Sequence, residues 1–328
     1  MKKTFNSLID FLNYFRNEDV CKKYLEKERF KNGEFCPHCG TFCKIYRIGK
    51  IYKCSTCRKI FSIKYKTIFS RSPISLKKWF TAIYLISNHS KGISSVQLAQ
   101  DVGVTQKTAW FMNHRIRLAL EQSVMSFDND DDDDDNDDND SNDPDVYEVD
   151  ETYVGGKEKN KHMNKKTEGN QGRSLKTKFA VIGMVKRKGN VIAIKSDSVS
   201  KEVIQEMIRE RIKVGSTIYT DEFRSYKGLN ELYNHDFVVH SKGKYVKGKK
   251  GTKKRVHTNT IEGFWSLLKR GIIGIYHYMS KKHLQRYLNE FCYRYNHMDY
   301  SISEYFDEIL FLAEGKSIMY QDLIEKGV

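Results

Sequence analysis

The chain has 328 residues, 39% of them hydrophobic, which is enough for two or three modest domains with real cores. Its net charge is +15, and twelve of its 42 acidic residues are aspartates crowded between Asp128 and Asp145, so the remainder sets 57 basic residues against 30 acidic ones. That excess favours a polyanionic partner and puts nucleic acid ahead of an anionic membrane or an acidic protein, because Lys and Arg neutralising phosphates supply most sequence-independent nucleic-acid affinity. No apolar run approaches the ~20 residues of a membrane span. The first residues, broken by Asp10 and Asn13, do not read as a signal peptide. The expectation is a soluble intracellular protein, placed in the cytoplasm or nucleoid if prokaryotic and in the nucleus if eukaryotic.

Phe5, Leu8, Ile9, Leu12 and Phe15 recur at helical spacing and predict an amphipathic helix whose apolar face joins a core. Seven cysteines, an odd number with six of them before residue 58, do not describe a disulfide scaffold. Cys36 with Cys39 and Cys54 with Cys57 instead form two C-x-x-C pairs separated by fourteen residues. Two thiolates three positions apart on a tight turn can face one ion, and two such knuckles complete a tetrahedral Zn²⁺ site. The spacing lies just below the usual window, a difference that a shorter hairpin absorbs. Between the pairs, KIYRIGKIYKC reads as two short strands about Gly49, which makes a zinc ribbon. Cys21, Cys43 and Cys292 are expected to be ordinary buried or half-buried residues, and His38 a bystander inside its knuckle.

From Ser75 the pattern turns helical, through LKKWFTAIYLISN, SSVQLAQDVGV and TQKTAWFMNHRIRLALEQ. The last two segments have the form of a helix-turn-helix. Ser94 or Ser95 caps the first helix, Ala99 sits where two helices must approach, Gly103 makes the turn and Thr105 caps the second. The second helix offers Gln106, Lys107, Asn113, His114 and Arg115, groups suited to base edges and phosphates, so Lys107 and Arg115 are the expected DNA contacts there. The tract that follows lacks apolar residues and repels itself, which predicts a disordered linker.

Beyond Asp145 the periodicity becomes strand-like. VYEVDETYV is one strand, and KFAVIGMVKRKGNVIAIKS is two strands joined at Lys188-Gly189-Asn190. SKEVIQEMIRERI is a helix with Ser200 as its cap, and STIYTDEF and HDFVVHSKG are further strands. NTIEGFWSLLKRGI and SKKHLQRYLNEFCYRYNH close the domain as helices. Three antiparallel strands followed by helix, strand, helix, strand and helix match a ribonuclease H-like architecture. The expected fold class is thus α/β, a ribonuclease H-like mixed sheet with flanking helices, preceded by the zinc ribbon and the helix-turn-helix region.

In such a sheet Asp150 on the first strand and Asp221 on the fourth share one end of adjacent central strands, and a later helix can bring Glu262 to meet them. Carboxylates so grouped need a cation, and hard oxygen ligands with open positions suit Mg²⁺ or Mn²⁺. Two such ions can activate a hydroxyl and stabilise the leaving oxygen of a phosphoryl displacement. Glu151 and Glu222, each next to a candidate, are expected on the opposite strand face.

CPHCG with CSTCRKIFSIKYKTIF, VDETYVGGK, IYTDEFRSY and above all HTNTIEGFWSLLKRGIIGIYHYMSKKHLQRYLNEFCYRYN resemble insertion-sequence transposases of the ISXO type. The resemblance runs from about residue 30 to 300 and is interrupted by the Asp/Asn tract. It implies a DDE-type transposase that nicks the ends of its own element and joins the freed 3′ ends to target DNA, with Asp150 and Asp221 matching the first two acids. The third position is Glu262 or Asn259, one helical turn apart on one face. Glu262 is favoured because a third carboxylate binds Mg²⁺ better than an amide does.

Lys269, two turns beyond Glu262, is placed to contact the phosphate backbone. SKGKYVKGKKGTKKR, which includes Lys249, Lys250, Lys253 and Lys254, reads as a phosphate-gripping loop. Trp265 is expected to pack in a core. Double-stranded DNA, both element ends and target, is the expected partner, and synapsis of two ends implies at least a dimer. The expected domains are 1–72 (N-terminal helix and ribbon), 73–126 (helix-turn-helix), 127–145 (linker), 146–312 (catalytic) and 313–328 (tail). The rival readings are a DNA-binding regulator with an inactive nuclease-like domain, and a nuclease or resolvase that cleaves without joining.

Overall fold

The computed structural model describes residues 4–5, 7–127, 145–156, 162–165, 174–243, 245–248 and 255–325. The Asp/Asn tract from 128 to 144 and Lys249, Lys250, Lys253 and Lys254 lie outside the described residues. Among the described residues, no helix is long and apolar enough to cross a membrane. The chain divides into two compact units, residues 1–122 with 297–328, and residues 123–296. Residues 297–312, expected with the catalytic domain, thus group with the N-terminal segment.

The first unit opens with α1 (Leu8–Tyr14) and α2 (Glu18–Arg29), each started by a side-chain oxygen, of Ser7 and of Asn17, that accepts a first-turn N–H. A three-stranded antiparallel ribbon follows, β1 (Ile45–Ile48), β2 (Ile51–Cys54) and β3 (Ile60–Phe61), with Gly49 at φ 59° in the turn between the first two. Next come α3 (Leu76–Asn88), α4 (Ser95–Val102) and α5 (Gln106–Ala119), capped by Ser75, Ser94 and Thr105. Gly103, left-handed at φ 66°, ends α4 and lets the chain turn into α5, as a helix-turn-helix requires.

The second unit is built on a five-stranded sheet. Its strands are β4 (Val146–Val154), β5 (Phe179–Lys186), β6 (Val191–Ser196), β7 (Thr217–Thr220) and β8 (Asn234–Phe237), in the order β6-β5-β4-β7-β8. β4, β5 and β6 run antiparallel, while β7 and β8 lie parallel to β4 on its other side. This is the ribonuclease H-like arrangement, with β4 at the centre. Alternation along β4 sends Tyr147 and Val149 into a core shared with Ile204 and Ile208 of α6 (Lys201–Arg209). Glu148 and Asp150 point to the other face, which α7 (Asn259–Gly271) covers. α8 (Leu284–Asn296) closes the exposed edge of the sheet. Its Asn296 amide accepts from Val191 N at 2.7 Å and donates to Val191 O at 3.1 Å, and Gln285 does the same for Lys195 N and Ala193 O. Side chains thereby occupy main-chain groups that an uncovered edge would offer to another strand.

The chain then returns to the first unit with α9 (Ile302–Leu312) and the short α10 (Tyr320–Ile324). Phe306 of α9 packs edge-on against Phe11 and Phe80, and all three are fully buried.

Here one expectation is corrected. Arg115 is 2% exposed, and its guanidinium donates to the carbonyls of Ile68, Ser70 and Ile318 at 2.7–3.1 Å. Burial has pulled its pKa down to about 10. Asn113 and His114 are buried as well, so the half of α5 carrying these groups faces the core and not DNA. Gln106 and Lys107 at the start of the helix stay exposed, with the Lys107 ammonium 4.4 Å from the centre of the Tyr320 ring. Replacing Arg115 by Met leaves three buried carbonyls without their donor and is expected to cost about 3 kcal/mol, read from the urea unfolding midpoint. Lys107→Ala is expected to change stability by less than about 0.5 kcal/mol.

Candidate active site

Glu148 is fully buried on β4, and its carboxylate is surrounded by donors. It accepts from Thr260 N at 2.8 Å, Ile261 N at 3.2 Å, the Thr260 hydroxyl at 2.9 Å and Arg187 Nε at 2.8 Å, with His257 Nδ1 at 3.1 Å. Thr260 and Ile261 belong to the first turn of α7, whose N-terminal N–H groups have no partner within the helix. The residue at the cap position, Thr258, makes no side-chain cap bond. A carboxylate from the neighbouring strand caps the helix instead, where the helix dipole also favours negative charge. Arg187 continues the clamp by donating to the carbonyls of Arg255 and His257, which precede the helix.

Two residues further along the same strand face lies Asp150. Asp221 directly follows β7, the parallel neighbour of β4, and its Oδ1 accepts from Phe223 N at 2.9 Å. Asp150, Glu151 and Asp221 each offer a carboxylate oxygen, and these oxygens lie within 4.8 Å of one another. Burial pushes the Asp150 carboxyl up to about 6, and the nearby charges of Asp221 and Glu262 push the same way, against a donation from the Trp265 indole. Glu151 does sit on the opposite face, where the buried Tyr226 hydroxyl donates to it at 3.1 Å, but its oxygen still reaches the group. Burial and the adjacent carboxylates hold Tyr226 well above the usual phenol range, so it stays a donor. A cavity of about 360 Å³ opens beside Asp221, lined among others by Phe223, Tyr226, His235 and Phe237.

Glu262 stands one turn into α7, half exposed, with its Oε1 accepting from the Thr258 hydroxyl at 3.1 Å and 3.7 Å from His240 Nδ1. Its charge reaches Asp150, but its carboxylate is not part of the 4.8 Å group. Asn259 is exposed at the start of the helix, and Lys269 is exposed two turns beyond Glu262. Three convergent carboxylate oxygens suit a hard divalent cation.

The four ribbon cysteines also converge. Cys36 and Cys57 sulfurs are 3.6 Å apart and Cys39 and Cys54 sulfurs 3.9 Å, close to the roughly 3.8 Å edge of a tetrahedron with 2.3 Å Zn–S bonds. Main-chain N–H groups of His38, Thr56 and Cys57 point at the sulfurs, and the N–H of Thr41 draws the exposed Cys39 thiol down to about 6. His38 bonds to Ile60 O and stacks on Tyr65, outside the sulfur group. Cys43, expected to be ordinary, lies 3.4 Å from Cys54 as a fifth sulfur.

Reading the sequence missed Glu148, Glu151 and Cys43. Strand alternation held the signal for Glu148, since a residue two before Asp150 must share its face. No local signal marked the other two.

Residues 145–296 match the family of ISXO2-like transposase domains, and residues 16–60 match the transposase zinc-ribbon domain. The chain is 28% identical over 290 residues to an uncharacterized protein in transposable element ISH50 of Halobacterium salinarum, covering 84% of this chain and 90% of that one. Among solved structures it is similar to a chain in a pre-cleavage Mos1 transpososome, at 10% identity and a TM-score of 0.22, over 72% of this chain and 79% of the other. A score that low adds nothing about the site.

Glu148→Gln removes the anion that the α7 cap and Arg187 share. It is expected to lower stability by about 3 kcal/mol and to speed amide hydrogen exchange at Thr260 and Ile261, measured on the same samples. A second expectation concerns pH. The folded carboxyl of Asp150, near 6, lies above its ordinary 3.8, so its contribution to metal-free stability is complete below pH 3.8 and lost as pH rises through about 6. In magnesium-free buffer, wild-type stability measured relative to Asp150→Asn should therefore fall across that window; a flat difference contradicts it.

Proposed function

We propose that this chain, which carries an ISXO2-like transposase domain and a transposase zinc ribbon, cuts the ends of its own mobile element and transfers the freed 3′ ends into target DNA. The observation that carries the reading is the meeting of Asp150, on the central strand, with Asp221, at the end of its parallel neighbour, within a 4.8 Å carboxylate group. In this reading Asp150, Asp221 and Glu262 hold Mg²⁺ or Mn²⁺, with Asn259 beside them on the first turn of α7. Such an ion, when bound, activates a water or a 3′-hydroxyl and stabilises the leaving oxygen of a phosphoryl displacement.

The chain's own groups do the rest. The Glu148 clamp presents α7, and with it Glu262, to the face bearing Asp150. Lys269 and the basic run that includes Lys249, Lys250, Lys253 and Lys254 neutralise backbone phosphates, an interaction that weakens as salt rises. Exposed Lys107 at the start of α5 adds a phosphate contact, and the ribbon, closed by Zn²⁺ on Cys36, Cys39, Cys54 and Cys57, presents its hairpin to the element end. Synapsis of two ends requires at least a dimer.

The test incubates the purified protein with labelled DNA bearing the ends that flank its own gene, plus Mg²⁺, beside Asp221→Ala. Nicked and joined products from the wild type, lost by at least about a thousandfold in the variant while DNA binding is retained, are the expected outcome. Nicking without joining would favour a nuclease or resolvase. Equal DNA binding with no product from either protein would favour a DNA-binding regulator.

A further inference from the structure

Trp265 lies on α7 three residues after Glu262 and is 3% exposed. A tryptophan on the apolar stripe of an amphipathic helix ordinarily serves as packing, and its buried indole N–H takes whatever acceptor is near. Here the acceptor is the Asp150 carboxylate, with Nε1 3.0 Å from Oδ2. The donation is charge-assisted, so it fixes the plane of the carboxylate more firmly than a bond between neutral groups would.

The sheet makes room for this contact at one position. Gly183 on β5 is the register partner of Asp150 across the strand pair. A Cβ built there would stand 2.4 and 2.5 Å from Cζ2 and Cη2 of the Trp265 ring and 2.9 Å from Cδ1 of Ile261. Contacts that short, against a ring wedged between helix and sheet, cannot be relieved by the swing of a flexible chain end. Gly183 is not among the glycines with positive φ, so its backbone does not call for glycine. Glycine inside a strand weakens the strand and commonly marks a close approach of another group. The group that approaches here is the indole, and it lands on the carboxylate opposite.

We infer that Trp265 is a positioning residue for the metal-binding carboxylate of Asp150, and that Gly183 provides the space through which the indole reaches it. The inference rests on the metal-site reading proposed above, and it adds a residue outside the three acids. Its geometry links two jobs of α7. The Glu148 clamp anchors the first turn of the helix on β4, and one turn later Trp265 grips the same strand at the residue that must stay oriented.

The test uses the full zinc-loaded chain and Mg²⁺ alone. Mg²⁺ affinity is measured by calorimetry for the wild type, W265F, G183A and D150N, with circular dichroism and the melting temperature as folding controls. W265F keeps an aromatic ring and removes the donor, whereas G183A keeps the donor and fills its space. Both are expected to fold and to bind Mg²⁺ about tenfold more weakly than the wild type. In the ¹⁵N-labelled wild type, the Trp265 indole resonance, assigned by its absence from W265F, is expected to move as Mg²⁺ saturates; a ring that only packs would not report the ion.

Wild-type affinity in folded W265F, or an indole resonance that stays still while Mg²⁺ binds, overturns the inference. If W265F does not fold, wild-type affinity in G183A overturns it equally. D150N separates the two levels. Weakened binding in D150N with unchanged binding in W265F removes the role of Trp265 alone, whereas unchanged binding in D150N removes the metal-site reading and this inference with it.

Discussion

A buried carboxylate with a full set of donors organises the second unit. Glu148 is inaccessible to water, and an anion there would be too costly to keep if any large part of its hydrogen bonding were missing. Its partners come from three places: the first turn of α7, the residues just before it, and Arg187 beyond the end of β5. The requirement to satisfy one charge therefore sets where α7 begins and which strand it starts on. Everything that helix delivers follows from this, including the distance of Glu262 from the carboxylate group and the reach of Trp265 to Asp150. Thr258 is relieved of the capping role its position would normally carry, and its hydroxyl is turned to Glu262 instead.

Glu148 and Asp150 share a strand and a face yet have opposite electrostatic situations. The first meets an arginine, a histidine and a helix N-terminus; the second meets Asp221, Glu151 and the more distant Glu262, with neutral donors in the Trp265 indole and the Glu151 main-chain N–H. A carboxyl pushed up to about 6 in such company marks a place where a positive charge is wanted. The ribbon repeats the same logic in softer chemistry, since four sulfurs converge where main-chain N–H groups favour thiolate over thiol.

What could be read directly from the residues was what depends on short-range pattern. The C-x-x-C pairs predicted a ribbon because a tight turn and thiolate chemistry are local matters, and alternation and capping residues marked strands and helices in an order that admits few sheet topologies. The pairing of Asp150 with Asp221 was legible for the same reason, since strand order decides which strand ends are neighbours. α5 was misread in its second half. Arg115 looks like a surface group by residue type, but amphipathic periodicity does not say that the segment between α9 and α10 and the loop after the ribbon would surround it with carbonyls.

By itself, then, the sequence determined the strands and main helices of the second unit and their order, the ribbon and the two aspartates that the central strands bring together, while α2, β3, α9 and α10 were not read from it. Tertiary structure alone decided which charges found partners. Glu148 was claimed by a helix more than a hundred residues later, Glu151 was brought to the carboxylate group from the opposite face, Cys43 was set beside the zinc ligands, and the glycine facing Asp150 was matched to the ring that fills its place. These pairings join residues far apart in the chain, and their energies come from burial and hydrogen-bond satisfaction, quantities that exist only once the surrounding elements have packed.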